Sequence, residues 1–259
     1  MLGQEAGISA TGLQSRNGLP VVLISCQVLQ DLFRRLLPEG LVHEIRFMDY
    51  GLHEAPNKAT GVLQEAIDQI EEPSLIVLGY GFCGNVLKGI RARSHTLLVP
   101  RVDDCIPLLL GSYAAYRREF AKSPGTYYLS KGWLEAGSHP LSEYQEYVSR
   151  YGDERAMWLM DQQYQHYERL VLLAQDEADL ETYRPQALEV ARLCERWGMR
   201  YEELLGTDAY VRSLVGAIQS AVDTGAAPAP RVDGDLLVIP PGGEVRLENF
   251  LRDMRAGKG

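Results

Sequence analysis

Three of the four cysteines follow short apolar runs that are typical of buried strands. Cys26 directly follows the first run, and Cys83 and Cys105 lie in the loops after the next two. The runs occupy positions 20–25, 75–78 and 96–99. Because ligands of open α/β sheets bind at the carboxyl ends of parallel strands, this repeated placement predicts that the three thiols converge on one site.

Thiolate is the form of cysteine that binds metals, and a helix N-terminus favours it by lowering the thiol pKa. Each of these three cysteines precedes a predicted helix, so we expect them to be metal ligands. Three thiolates suit a four-iron four-sulfur cluster with one iron left open. They equally suit a zinc ion with an exchangeable fourth position. The sequence has no Cys-x-x-Cys pair, so spacing does not decide between the two. Cys194, within a helical pattern, is predicted to be a buried structural residue.

The turn that contains Cys83 is rich in glycine and has the order G-x-G-x-x-G. A dinucleotide fingerprint has this form, with an acidic residue about 20 residues later, near Asp103 and Asp104. Backbone N–H groups of such a turn can also bind an anion. Gly81, Gly84 and Asn85 are therefore candidate cofactor-binding or anion-binding residues.

Charged side chains share the loops of the cysteines. Arg101 is a candidate for binding a substrate carboxylate, and Asp104 for orienting the substrate or accepting a proton. His53 lies in the loop after the second predicted strand and is a third catalytic candidate. The structural alternatives are a local salt bridge for Arg101 and Asp104 and a helix cap for His53.

Hydrophobic periodicity predicts an α/β fold with a mainly parallel sheet, helices on both faces and a largely helical second half. The expected organisation is a flexible leader at 1–19 followed by a single α/β domain at 20–259. Within that domain, 141–222 is the helical part and 235–239 a late strand. Helices are expected at 27–37, 59–70, after Cys83, and at 106–121, 141–150, 153–175, 184–197 and 207–223.

Composition restricts the classes of function. The 259 residues carry a net charge of −9, which disfavours nucleic acid and anionic membrane surfaces as partners. No apolar run reaches the roughly 18 residues that a membrane span requires. Residues 1–19 lack the features of a secretory signal, so we expect a cytoplasmic protein whose thiols stay reduced.

Several stretches together resemble an uncharacterised prokaryotic family known only as a domain of unknown function. The matching stretches are LHEAP (52–56), VLGYGFCGN (77–85), VPRVDDCIPLLLGS (99–112), PGTYYLSKGW (124–133) and SRYGDERA (149–156). This chain has Asp103-Asp104 where the family usually has His-Asp. The resemblance implies that the three cysteines are family features. It also implies a link to anaerobic one-carbon metabolism, because such proteins are often encoded near corrinoid-dependent methyltransferases.

These observations favour a metal-thiolate enzyme in which an iron–sulfur cluster on Cys26, Cys83 and Cys105 binds a small anionic substrate or sulfide. One alternative is zinc-dependent methyl transfer from a corrinoid to a thiol substrate. The other is a non-catalytic accessory protein that docks on a corrinoid or methyltransferase partner through 141–222.

Overall fold

The computed structural model describes residues 19–50, 56–137, 139–232 and 234–252, and its fold is α/β. Contacts divide the chain into two compact units. The first contains the described residues up to Cys105 and those from Val211 onward, and the second is Ile106–Tyr210. Each of these units has a sheet of its own. The single domain that the sequence predicts over 20–259 stays a prediction.

The sheet of the first unit has five strands in the order β2-β1-β3-β4-β8. Its strands are β1 (Val21–Cys26), β2 (Glu44–Met48), β3 (Leu75–Gly79), β4 (Thr96–Pro100) and β8 (Leu236–Ile239). The first four are mutually parallel, as predicted, and their carboxyl ends therefore share one edge. The late strand β8 is added antiparallel to β4 at one edge of the sheet.

Helices cover both faces of this sheet, as its buried strands require. The first unit contains α1 (Gln30–Leu36), α2 (Pro56–Asp68) and most of α9 (Ala209–Thr224). On one face, Ile24 and Cys26 belong to the same buried cluster as Leu63 of α2. On the other face, the ring of Phe33 from α1 lies so close to Gly79 that a Cβ there would be 2.8 Å from it.

The connection between β3 and β4 differs from the prediction of a helix after Cys83. Cys83–Asn85 form one 3₁₀ turn, and the described residues from there to β4 contain no α-helix. The reason is backbone conformation: Gly84, Gly89 and Arg93 have φ values of 62°, 83° and 54°. Left-handed residues interrupt a right-handed helix, so the crossover stays in turns.

The second unit contains a three-stranded parallel sheet in the order β5-β6-β7. Its strands are β5 (Thr126–Leu129), β6 (Arg169–Ala174) and β7 (Arg200–Leu205). Its helices are α3 (Ile106–Leu110), α4 (Tyr113–Lys122), α5 (Lys131–Ala136), α6 (Pro140–Tyr151), α7 (Asp153–Tyr164) and α8 (Glu177–Cys194). Helices predominate here, as predicted, but the sequence prediction missed β6 and β7.

Two helix predictions need correction. The helix predicted over 106–121 is two helices, because Gly111 between them has a φ of 88°. The helix predicted to begin at 184 begins at Glu177, so that Pro185 lies inside α8. Among the described residues, no helix is both long and apolar enough to cross a membrane.

Candidate functional site

Three cysteines lie at the carboxyl edge of the first sheet, each at or beyond the end of a different strand. Cys26 is the last residue of β1, whereas the sequence prediction ends this strand at Ser25. Cys83 lies four residues beyond the end of β3, and Cys105 five residues beyond the end of β4. Because β1, β3 and β4 are parallel, all three loops leave the sheet on the same side.

The three thiols share one neighbourhood in the structure. The side chains of Cys83 and Cys105 form a hydrogen bond, and Cys26 interacts electrostatically with both of them. Cys26 and Cys105 are buried, whereas Cys83 is half-buried. None of the three forms a disulfide. The structure therefore brings together the residues that the sequence proposes as ligands, with Cys83 on the solvent side.

Burial strongly disfavours ionisation of the two inner thiols. It raises the pKa of Cys26 to about 12. A hydrogen bond from the backbone N–H of Val28, in the helical turn that follows, lowers that pKa in part. The hydrogen bond with Cys83, followed by burial, raises the pKa of Cys105 well above its usual range. These effects outweigh the expected lowering of the thiol pKa by helix N-termini. Without a cation, both thiols are therefore protonated at neutral pH.

The turn around Cys83 has an unusual backbone. Three consecutive residues, Cys83, Gly84 and Asn85, have φ values of 44°, 62° and 81°. Only glycine adopts this region without a steric cost, and such strain concentrates at functional sites. The loop before Cys105 stabilises the turn, because the N–H groups of Phe82 and Cys83 donate to the carbonyls of Val102 and Asp103 at 2.9 and 2.8 Å.

Gly81 permits this close contact between the two cysteine loops. A Cβ at Gly81 would lie 2.3 Å from the carbonyl carbon of Asp104, so a larger residue would displace that backbone. Gly84 and Asn85 are exposed. The binding role predicted for these three residues stays a prediction, and the amides of Phe82 and Cys83 are already used in bonds to carbonyls.

The charged candidates occupy different positions. Asp104 is half-buried and lies near enough to Cys105 to raise its pKa. The guanidinium of Arg101 instead donates to the backbone carbonyls of Asn249 and Leu251, at 2.7 and 2.5 Å. This geometry gives Arg101 a structural role. Its predicted role in substrate binding stays a prediction. His53 lies outside the described residues.

Two residues near the thiols were missed by sequence reasoning. Tyr80 is buried, and its pKa is raised by burial and by its proximity to Cys26 and Cys83. Asp49 lies near enough to Cys26 to contribute to that thiol's raised pKa. Each directly follows a strand, Tyr80 after β3 and Asp49 after β2. The strand-end argument that selected the cysteines could therefore have selected both.

In the part of the chain that the structure describes, no group of three or more His, Cys, Asp or Glu side chains is already arranged to hold a metal ion. The convergence of thiols is thus a cluster of candidate ligands and not a preformed coordination shell. Cys194 lies elsewhere, in the core of the second unit, fully buried as predicted.

An α/β protein with three thiols at one edge of a parallel sheet is the class that fold and site define. The chain belongs to a family described as "Protein of unknown function (DUF1638)", whose model matches residues 47–215. No curated protein matches the chain. No solved structure matches it either.

Proposed function

We propose that Cys26, Cys83 and Cys105 hold a four-iron four-sulfur cluster whose open iron binds a small anionic substrate or sulfide. The observation that supports this most is the meeting of three thiols from three separate strand ends at one sheet edge. When bound, the cluster would supply a Lewis-acidic iron with one exchangeable position.

A purely structural role accounts poorly for these cysteines. A cysteine that only fills a core would need no special backbone, as Cys194 within α8 illustrates. Cys83 is half-buried and has a φ of 44°, a conformation that costs free energy in a residue with a side chain. Strain of this kind persists when the surroundings enforce a particular placement of the side chain.

Thiol catalysis by Cys26 or Cys105 also fits poorly. A cysteine nucleophile acts as thiolate, yet the pKa of Cys26 is raised to about 12 and that of Cys105 well above its usual range. Nearby Asp49 and Asp104 raise these values further. A bound metal reverses this effect, because its positive charge stabilises the thiolates that coordinate it.

Zinc is the second candidate, and one observation favours it. The side chains of Cys83 and Cys105 are close enough to form a hydrogen bond. Thiolates on one tetrahedral zinc, at Zn–S distances of about 2.3 Å, stand about 3.8 Å apart. Ligands of a cluster are spaced more widely. A zinc centre at this site would activate a thiol substrate for methyl transfer.

Metal analysis of protein purified without oxygen tests both candidates. The cluster predicts iron and sulfide in roughly four equivalents each and broad absorbance near about 400 nm that is lost in air. Zinc predicts one colourless, air-stable ion. Replacing any of Cys26, Cys83 or Cys105 with Ser should abolish binding, whereas the control Cys194→Ala should retain it. Wild-type protein that binds neither metal under reconstitution would refute the proposal.

A further inference from the structure

Residues 247–252, here called the 247–252 strap, contact both the Cys83 turn and the Cys105 loop. The ring of Phe250 packs on that of Phe82, with centroids 4.6 Å apart, and both side chains are buried. Phe82 is the residue immediately before Cys83. The strap therefore supports the Cys83 turn through the side chain of Phe82.

The same strap is fixed to the loop that leads to Cys105. Arg101, at the start of this loop, donates from Nε to the carbonyl of Asn249 and from a terminal nitrogen to that of Leu251. In return, Arg252 donates to the carbonyl of Arg101 and, at 3.0 Å, to the carboxylate of Asp235. Bonds thus run in both directions between the strap and the end of β4.

We infer that the 247–252 strap is a positioning element that holds Cys83 and Cys105 together, with Phe250 and Arg101 as its two anchoring residues. This inference deepens the proposed function and rests on it for its metal-binding aspect. The physical argument is that the positive φ values of Cys83 and Asn85 are strained in residues with a side chain and need external support. The strap supplies that support through an aromatic contact on one loop and two carbonyl contacts on the other.

The first measurement uses metal-free, reduced protein, so its result does not depend on any metal. The rate of iodoacetamide modification is followed for each cysteine by peptide mass spectrometry. Phe250→Ala and Arg101→Gln should each raise the rates at Cys83 and Cys105 at least tenfold and leave the rate at Cys194 unchanged. Phe250→Leu, which keeps an apolar contact with Phe82, should restore rates close to those of the wild type.

Matched controls make the same chemical changes away from the strap. Phe120→Ala removes a phenyl ring that is 43% exposed in the second unit. Arg91→Gln removes a guanidinium whose side chain is 63% exposed. Both should leave all four rates at the wild-type level. Hydrogen exchange of β1, β3 and β4 should also stay unchanged in the strap variants, because the inference concerns loop placement and not general stability.

The second measurement follows metal loss from loaded protein to a chelator, which Phe250→Ala and Arg101→Gln should accelerate at least tenfold. Failure of wild-type protein to bind any metal would count against the proposed function alone, since the alkylation rates would still report on the strap. The inference is overturned if rates at Cys83 and Cys105 match the wild type. It is also overturned if Cys194 or the strand amides become exposed in parallel, which would indicate general unfolding.

Discussion

Replacing Gly81 with alanine should separate the two loops that carry Cys83 and Cys105. A Cβ at this position would lie 2.3 Å from the carbonyl carbon of Asp104, whereas ordinary contact begins at 3.4 Å, so the loops must move apart by about 1 Å. The atoms approached are backbone atoms and cannot rotate away as a flexible side chain would. The displacement must therefore be taken up by the loops themselves.

The size of the effect follows from the hydrogen bonds between these loops. The bonds from Phe82 to Val102 and from Cys83 to Asp103 measure 2.9 and 2.8 Å. Lengthened by about 1 Å, both would exceed the range of an N–H···O hydrogen bond. Each such bond contributes about 1 kcal/mol, so Gly81→Ala should lower the free energy of unfolding by about 2 kcal/mol. It should also reduce metal binding, since the sulfurs would separate with their loops.

Urea denaturation of the metal-free protein, with metal analysis of the reconstituted protein, measures both effects. Gly84→Ala is the comparison, because a Cβ there meets nothing within 4 Å but the residue has a φ of 62°. Its cost is that of the left-handed conformation alone, about 1 kcal/mol. If Gly81→Ala changed stability by less than about 0.5 kcal/mol, the usual range of surface substitutions, and left metal content unchanged, the argument would be refuted.

Two further predictions concern ionisation. Because the pKa of Cys26 is about 12 in the folded protein and 9.0 for an ordinary thiol, its stabilising contribution is complete below about pH 9 and is lost toward pH 12. Urea denaturation of the metal-free protein should therefore show stability falling across that interval, less steeply in Cys26→Ala, and a pH-independent curve would contradict it. In the second unit, Arg169 is buried and bonds to the buried carboxylate of Glu119 at 2.9 Å. Arg169→Ala should cost about 3 kcal/mol by thermal or urea denaturation, whereas Arg150→Ala, at an exposed pair, should leave stability nearly unchanged; similar curves for the two variants would contradict this assignment.

The positions of the cysteines relative to the strand ends could be predicted because a strand end is marked by residues next to it in sequence. A buried run such as Leu75–Gly79 ends where glycine begins, and that boundary places Cys83 beyond the strand without knowledge of any distant contact. The same reasoning placed β4 and the loop of Cys105. Parallel order then followed from the alternation of strands and helices, so the shared sheet edge was predictable from pattern alone.

Strands β6 and β7 were missed for a physical reason. In β6, RLVLLA is buried throughout and has no alternation of polar and apolar residues, so periodicity cannot distinguish it from a buried helix. Leucine and alanine also favour helix intrinsically, whereas burial between neighbouring strands decides the outcome. In β7, RYEELL has the glutamate and leucine content of a helix, and its pairing with β6 overrides that preference.

The contacts of Arg101 could not be predicted from neighbouring residues in the sequence. Its partners lie 148 and 150 residues further along the chain, and they are backbone carbonyls, which carry no residue-type signal. A charged residue in a loop of candidate ligands suggests substrate binding when only its neighbours in sequence are known. The long-range contact changes that interpretation, because a guanidinium engaged by two carbonyls is held in place before any substrate arrives.

The electrostatics of Cys26 and Cys105 and the placement of all three thiols support the same proposal. Inner thiols whose pKa is raised by burial and by neighbouring carboxylates are unsuited to ionise alone, yet they are gathered at an edge where ligands bind. Under the proposal, a bound cation would resolve this conflict, since each thiolate that it stabilised would remove part of the cost of burial. Cys83 is the half-buried member and lies on the strained turn. A small substrate would therefore reach the site from the side of Cys83.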